Sequence, residues 1–197
     1  MQLAGIRVVD LTRVLAGPFC ASLLADMGAD VVKIEAPGGG DPVRGQGVIK
    51  QGLSWYFANY NRNKRSLTLD LYKDEGKAIL AELIRRADVL VENYRPGVLA
   101  RMGFGPERLA ELKPDLIVCH VTGFGNDGPY AERPSFDFIA QAMSGFMSVT
   151  GEPDGPPLRA GPPIADLVAG LWGALGVCAS LVRRAGSAPV AKWLAAR

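Results

Sequence analysis

Asp166 is the residue of this chain whose position most strongly suggests chemistry. It lies in the segment GPPIADLVAGLWG at 161–173, between two prolines and a long apolar run. Pro162 and Pro163 stop any incoming helix, so a helix is predicted to begin directly after them. A carboxylate in the first turn of such a helix is either an N-terminal cap, which contributes about 1 kcal/mol, or a group that takes part in a reaction.

The helix predicted to follow Asp166 is apolar on nearly all sides. Apolar side chains recur at helical spacing over residues 167–182, with alanine and glycine in most of the gaps. This run is shorter than the ~20 residues that a membrane-spanning helix needs. We therefore expect a buried core helix and no association with a membrane.

Elsewhere, the chain alternates short apolar strands with helices. Such alternation predicts an α/β protein with a doubly wound, mostly parallel open sheet and helices on both faces. The predicted strands cover residues 6–11, 29–35, 66–71, 88–92 and 115–121, and the predicted helices cover 19–27, 74–87, 107–112, 135–147 and 167–182.

Polar residues follow several of these strands, where open α/β sheets bind ligands. The glycine-rich loop at 36–47, APGGGDPVRGQG, is suited either to cradling phosphates or to a surface loop. Aromatic residues at 55–60 precede the basic segment NRNKR at 61–65, which suits either a nucleotide phosphate or a solvated turn. Composition leaves both alternatives open.

Composition argues against several classes of protein. A net charge of +2 is too weak to indicate nucleic-acid binding. Cys20, Cys119 and Cys178 lack metal-ligand spacing, and we expect buried free thiols in a reducing compartment. His120, the single histidine, is predicted to lie in the core or at a strand end. No secretory signal is visible, which indicates the cytoplasm or an organelle matrix, and we expect a cytoplasmic location.

A β-α-β start also raises the possibility of a dinucleotide-binding oxidoreductase. Glu35 ends the second predicted strand, where an acid holds a ribose hydroxyl in such enzymes. However, the turn DLTRVLAGPF contains only Gly17, so the G-x-G-x-x-G fingerprint is absent, and there is no P-loop. The sheet is therefore expected to hold its ligand through strand-end side chains and loops.

Six longer motifs follow one another along the chain. They are RVLAGPFCASLLADMGADVVKIEAPGGGD, NRNKRSLTLDL, VENYRPGVLARMGF, TGFGNDGPYAERPSFDFIAQAMSG, TGEPDGPP and ADLVAG. In this order they resemble family III CoA-transferases, the group that contains formyl-CoA transferase and, as a divergent branch, α-methylacyl-CoA racemase. Each motif alone is modest, but six in order are specific, and the resemblance covers residues 2–184.

The resemblance implies a fold and an assembly. Members of the family have a Rossmann-like large domain and a small domain, and two chains interlink like rings in a homodimer. Typical members are about twice as long as this chain. We therefore interpret residues 1–184 as an incomplete CoA-binding Rossmann-like domain, and residues 185–197 as a divergent tail that arose by truncation or frameshift.

The resemblance also implies the reaction, which is transfer of CoA between an acyl-CoA donor and a small carboxylic acid. Asp166 matches the family's nucleophilic aspartate, whose carboxylate forms first an acyl anhydride and then an aspartyl-CoA thioester. Coenzyme A is then a substrate, and neither a tightly bound cofactor nor a metal is expected. A non-catalytic CoA-binding fragment is the alternative.

The family's CoA-binding positions can be carried over to this chain. Arg101 is the natural phosphate partner, because a guanidinium pairs with phosphate through two hydrogen bonds. The matching positions are Val14, Leu15, Leu69, Asp70, Leu71, Tyr72, Asn93, Tyr94, Arg95, Arg101, Pro134, Ser135, Phe136 and Asp137.

Three departures from the family pattern narrow the reaction. Formyl-CoA transferase has a glutamine where this chain has Leu15 and an arginine where it has Ala36, so we expect a more apolar acyl group than formyl or oxalyl. The racemase branch uses a histidine where this chain has Phe136, which cannot exchange a proton. His120 lies outside that motif, so transfer is favoured over racemisation.

Overall fold

A computed structural model describes residues 1–186 and the backbone of residues 192–196. Its strands are β1 (Arg7–Asp10), β2 (Asp30–Glu35), β3 (Ile49–Lys50), β4 (Leu53–Ser54), β5 (Lys64–Thr68), β6 (Val89–Glu92), β7 (Ile117–Val121) and β8 (Lys192–Ala196). Its α-helices are α1 (Ala16–Asp26), α2 (Trp55–Asn61), α3 (Asp74–Arg86), α4 (Val98–Arg101), α5 (Pro106–Leu112), α6 (Asp137–Met143) and α7 (Ile164–Gly186).

The main sheet is open and parallel. Within the described residues its strand order is β5-β2-β1-β6-β7-β8, while β3 and β4 form a separate hairpin. The chain winds from β1 outwards to β5, then returns to the other side of β1 and continues through β6 and β7. The crevice between β1 and β6 is therefore the switch point at which such sheets bind ligands. The predicted Rossmann-like fold is confirmed.

Alternate side chains of the strands build a separate core on each face of the sheet. Val9 and Leu90 pack with the buried residues of α3 and α5 on one face. Val8 and Val89 pack with those of α1 and α7 on the other. Because helices cover both faces, the strands read in the sequence as nearly continuous apolar runs.

Several predicted elements have different bounds in the structure. The helix predicted over 135–147 divides at Gly145, which has a φ of 81°, into α6 and a 3-10 turn at Phe146–Val149. The apolar spacing of α3 predicted that Ile79 faces the core, but Ile79 is half exposed. The buried residues of this helix are Gly76, Leu80, Ala81 and Ile84. The β3–β4 hairpin and α4 were not predicted at all.

α7 is less buried than the sequence predicted. Its buried stripe consists of Gly170, Gly173, Ala174, Val177 and Leu181. The opposite face is solvent-exposed, and Trp172 on it is 62% exposed. At 23 residues, α7 is also long and apolar enough to cross a membrane by length and composition, as core helices of soluble proteins can be. The expected absence of a membrane stays a prediction.

The predicted tail lies partly outside the described residues, which omit 187–191 and 197. α7 continues to Gly186. β8 runs parallel to β7, although no final element was predicted there. The interpretation of residues 185–197 as a truncated or frameshifted tail stays a prediction.

α7 packs on α1 through two glycines. A Cβ atom built on Gly170 would lie 2.6 Å from the carbonyl oxygen of Ala16, and one on Gly173 would lie 3.1 Å from Sγ of Cys20. Cys20 and Cys119, both beside Gly173, are buried free thiols as predicted, whereas Cys178 is half-buried. Only residues without side chains allow the two helices to approach this closely.

The α1–α7 contact predicts the effect of Gly170→Ala. The added methyl group meets backbone that cannot move aside easily, so we expect the free energy of unfolding to fall by about 1–3 kcal/mol. Gly186→Ala is the matched control, since a Cβ there has no neighbour within 4 Å among the described residues. That control should be neutral or stabilising, by up to about 1 kcal/mol. Urea denaturation measures both variants, and equal effects would contradict the packing argument.

Candidate active site

Most of the predicted ligand-binding residues lie along one edge of the sheet. Val14 and Leu15 follow β1, residues 69–72 follow β5, and residues 93–95 follow β6. Because these strands are parallel, their carboxyl ends meet at the same edge. Arg101 at the end of α4 and residues 134–137 before α6 come from further along the chain.

The turn between β1 and α1 lies at the switch point of the sheet. The Asn93 side chain bridges this point, because its Oδ1 accepts from the Arg13 amide at 2.9 Å and its Nδ2 donates to the Arg13 carbonyl at 2.7 Å. Val14 has a φ of 72°, in the left-handed region. The side chain of Leu15 is buried, so only the backbone of this residue is available to a ligand.

The remaining predicted positions differ in exposure. Leu69 and Leu71 are core residues. The carboxylate of Asp70 accepts a hydrogen bond from the Tyr72 amide. Tyr72 itself is 88% exposed. Tyr94 is half-buried beneath the Arg13 guanidinium. Two cations, Arg95 and Arg101, are exposed, whereas Leu69 and Leu71 offer a ligand little beyond their backbone.

Asp137 connects α6 to the start of α7. Its Oδ1 accepts from the amides of Ala165 and Asp166 at 2.8 and 3.4 Å, and Gln141 donates to its Oδ2 at 2.6 Å. A helix-capping side chain makes bonds of this kind to the second and third residues. Pro163 precedes α7 and has no such acceptor, so Asp137 caps α7 from a neighbouring element.

Asp166 itself does not cap the helix. Among residues 1–186, no hydrogen bond or ion pair involves its carboxylate. Burial, together with the neighbouring charge of Asp137, raises the pKa of Asp166 to about 6. This carboxylate is ionised at neutral pH yet incompletely solvated, which suits a nucleophile.

Tyr56 lies beside Gly47 at the end of the glycine-rich loop. Burial, then the charges of Tyr60, Asp166, Asp137 and Asp41, raise the pKa of Tyr56 to about 12. A largely apolar groove of about 490 Å³ opens beside it, with one cation in its lining. The groove is lined by Gly47, Val48, Lys50, Trp55 and Tyr56.

Several charged groups considered for ligand binding are instead engaged within the protein. Burial opposes ionisation of Glu35, but hydrogen bonds from Arg44, Ser66 and the Asp41 amide outweigh it and lower the pKa of Glu35 to about 2. Glu35 is therefore not poised to bind a ribose. In the basic segment, the three cations form ion pairs with aspartates, through Arg62 to Asp26, Lys64 to Asp10 and Arg65 to Asp30.

His120 lies at the end of β7, as expected, and its Nδ1 contacts Oε1 of Glu92. Glu92 also accepts from the Tyr94 amide. No cluster of three or more potential metal ligands occurs in the described part of the chain.

Comparison with known proteins decides the family. A family model described as CoA-transferase family III matches residues 3–189. The chain belongs to this family. It is 48% identical over 187 residues to the succinate–glutarate CoA-transferase of Agrobacterium fabrum and 49% identical over 182 residues to the acetyl-CoA:oxalate CoA-transferase of Acetobacter aceti. Each alignment covers 91% of this chain.

A solved structure of the CAIB/BAIF family from Brucella suis is also similar. It has a TM-score of 0.91 and 40% sequence identity, and the match covers 98% of this chain and 51% of the other. The two curated relatives are matched over 47% and 46% of their lengths. The chain thus spans about half the length of these relatives.

Sequence reasoning did not single out three buried polar residues near the candidate site. Lys33 reads as part of an apolar strand, and Asp41 as part of a loop, yet both are buried at this edge of the sheet. Gln141 supports Asp137 from one turn later in α6, and that i,i+4 spacing was the only available signal. The contacts of Lys33 and Asp41 join distant segments, so no local pattern could reveal them.

The raised pKa predicts that Asp166 lowers stability at neutral pH. Asp166 binds a proton near pH 6 in the folded protein and near pH 4 when unfolded. Between these values the folded state binds more protons, so stability falls as pH rises. Asp166→Asn should therefore raise the melting temperature at pH 7–8, and this gain should shrink as pH falls from 6 to 4.

Thermal unfolding from pH 4 to 8 tests this prediction. The exposed loop residue Asp154 provides the control, and Asp154→Asn should show no pH-dependent gain. A gain from Asp166→Asn that is equal at pH 4 and pH 8 would contradict the assignment of the raised pKa.

Proposed function

We propose that the full-length protein transfers CoA from an acyl-CoA to a carboxylic acid. The observation that carries the proposal is the Asp166 carboxylate, which is partly buried and has no hydrogen-bond partner among residues 1–186. It lies at the start of α7, whose next turn touches the residues after β1. The names of the two relatives, which both combine CoA transfer with small dicarboxylic acids, support the substrate class.

The proposed reaction proceeds through two covalent states of Asp166. The carboxylate attacks the donor thioester, CoA leaves as a thiolate, and a mixed anhydride forms. The thiolate then attacks the Asp166 carbonyl, which releases the donor acid and leaves an aspartyl-CoA thioester. The acceptor carboxylate displaces the thiolate to form a second anhydride, from which the thiolate takes the acceptor acyl group and restores Asp166.

Binding of CoA is proposed along the carboxyl edge. Arg95 and Arg101 are exposed cations suited to its phosphates. The turn at Val14 and Leu15 leads into Ala16, which packs against Gly170 one helical turn after Asp166, so the thioester is proposed to bind at this turn. The other positions carried over from the family remain part of this proposal, although the side chain of Asp137 already binds Gln141 and α7.

Racemisation is not proposed. Phe136 is 61% exposed and stacks on Phe138, and neither ring transfers protons. A preference for an acyl group more apolar than formyl is also proposed. It rests on Ala36, which is exposed just after β2 and stands where formyl-CoA transferase has an arginine.

A homodimer and a cytoplasmic location are proposed for the full-length protein. The exposed apolar face of α7, which includes Leu171, Trp172 and Leu175, supports the first of these, because a face of this kind is usually covered in an assembly. The proposed cytoplasmic location rests on the sequence alone.

The covalent proposal predicts a label on Asp166. Hydroxylamine added to the full-length protein during turnover should capture the anhydride or thioester as a hydroxamate, which peptide mass spectrometry locates. Asp166→Asn is the control and should show neither the label nor more than about 10⁻³ of the activity. Turnover with no label on the Asp166 peptide would sink the mechanism, and CoA binding without exchange would favour a binding protein.

The charge of Asp137 predicts a shift in the pH profile. We expect kcat/KM to fall below about pH 6, because the protonated Asp166 cannot attack. Asp137→Asn keeps an oxygen that can cap α7 but removes the neighbouring charge, so this acid limb should move to lower pH. Initial rates over pH 4.5–8 measure the limb, with Asp154→Asn as the control. An unmoved or raised limb in Asp137→Asn would contradict the electrostatic argument.

A further inference from the structure

The β1–α1 turn, residues 12–14, is held by a buried ion pair from β2 and the following loop. Lys33 Nζ donates to the carbonyl of Thr12 at 2.8 Å. The two carboxylate oxygens of Asp41 lie 3.1 and 3.3 Å from the amide nitrogen of Val14. The ammonium and the carboxylate themselves meet at 2.9 Å. One ion pair therefore binds both a carbonyl and an amide of the same turn.

Val14 needs this support because its conformation is unfavourable. Its φ of 72° lies in the left-handed region, which a β-branched residue rarely adopts. Such conformations persist where the surrounding structure holds them, and they concentrate at functional sites. The carboxylate of Asp41 is the acceptor that holds the amide at this strained position.

Burying this ion pair costs desolvation free energy. The side chains of Lys33 and Asp41 are each 1% exposed. Replacing a buried ion pair by apolar residues often leaves the free energy of folding unchanged or improves it. A contribution to folding stability therefore does not explain why two charged residues occupy these buried positions. Asp41 is further fixed by the Val43 amide, which donates to it at 3.2 Å, and its own amide donates to Glu35 at 2.9 Å.

The supported turn leads directly to the contact between α1 and α7. Ala16, two residues after Val14, lies against Gly170, which is one helical turn after Asp166. A change in the turn would therefore shift the start of α1, against which α7 packs one helical turn after Asp166.

We propose that Asp41, paired with Lys33, is a positioning residue that holds the Val14 amide and so keeps the β1–α1 turn in the shape that binds the CoA thioester. This inference rests on the proposed CoA transfer, because it assigns the turn to the same site. Asp41 acts through the backbone of the turn and takes no part in bond making.

The first test removes both charges together in the full-length protein. Asp41→Leu with Lys33→Met leaves no unpaired buried charge but withdraws both contacts to the turn. We expect KM for the acyl-CoA to rise at least about tenfold with a smaller change in kcat, since the lost interaction serves binding in both ground and transition states. The Kd for CoA, from calorimetry, should rise in parallel.

Two further double variants differ only in whether residue 41 can accept a hydrogen bond from the Val14 amide. Asp41→Asn with Lys33→Gln keeps an acceptor for Val14 and a donor for Thr12, and should return KM to within about threefold of wild type. Asp41→Ala with Lys33→Gln differs only in lacking the acceptor, and should keep the raised KM. This comparison remains decisive if the apolar variant does not fold.

A matched control lies at the opposite edge of the sheet. Asp88 pairs with Arg184 at 2.7 Å and accepts from the Arg7 amide at 2.9 Å, so it too combines an ion pair with a backbone contact. Asp88→Leu with Arg184→Met should lower the melting temperature without changing KM. If it changes KM as much as the Asp41→Leu, Lys33→Met variant does, the effect is general destabilisation and the positioning role is overturned.

The outcomes separate this inference from the proposed function. Wild-type protein that binds CoA but transfers none would overturn the function, while the series of Kd values would still decide the role of Asp41. Active wild-type protein whose KM and Kd are unchanged in the acceptor-deleted variant would overturn the positioning role alone. Wild-type protein that binds no CoA would overturn both.

Discussion

The close approach of α7 to α1 is the contact on which the candidate site depends. Gly170 and Gly173 allow one helix to lie against the backbone of the other, at the carbonyl of Ala16 and the thiol of Cys20. A crossing this tight leaves α7 little freedom to slide or rotate. Because Asp166 is one turn from Gly170, its position relative to the switch point of the sheet is set by helix packing rather than by a mobile loop.

The polar interactions around the switch point serve geometry more than stability. Two buried lysines, Lys33 and Lys64, pair with Asp41 and Asp10 at the carboxyl ends of the strands. Desolvation of such charges offsets much of their attraction, so their net contribution to folding is small. Their hydrogen bonds do, however, fix the residues after β1 in one conformation. A binding site built this way needs little rearrangement when its ligand arrives.

The sequence predicted the fold better than it predicted the contacts around the candidate site. The apolar strands and the helical spacing of apolar residues in α3 are local patterns, so these elements could be predicted from the sequence. The motif around Asp166 is specific enough to indicate the family. The half-exposed outer face of α7 could not be predicted, because apolar residues on an exposed helix face look the same in the sequence as apolar residues in a core. Lys33 and Asp41 escaped notice because their contacts to Thr12 and Val14 are set by tertiary structure.

The cap of α7 explains why the carboxylate of Asp166 keeps a raised pKa. The N-terminus of a helix stabilises negative charge, and had Asp166 bound the free amides there, its carboxylate would be more acidic and a weaker nucleophile. Asp137 occupies the amides of Ala165 and Asp166 instead. The favourable end of the helix is therefore satisfied by a second carboxylate, whose charge, added to burial, raises the pKa of Asp166 to about 6. The sequence offered capping and chemistry as alternatives for Asp166, and in the structure Asp137 is the residue that caps α7.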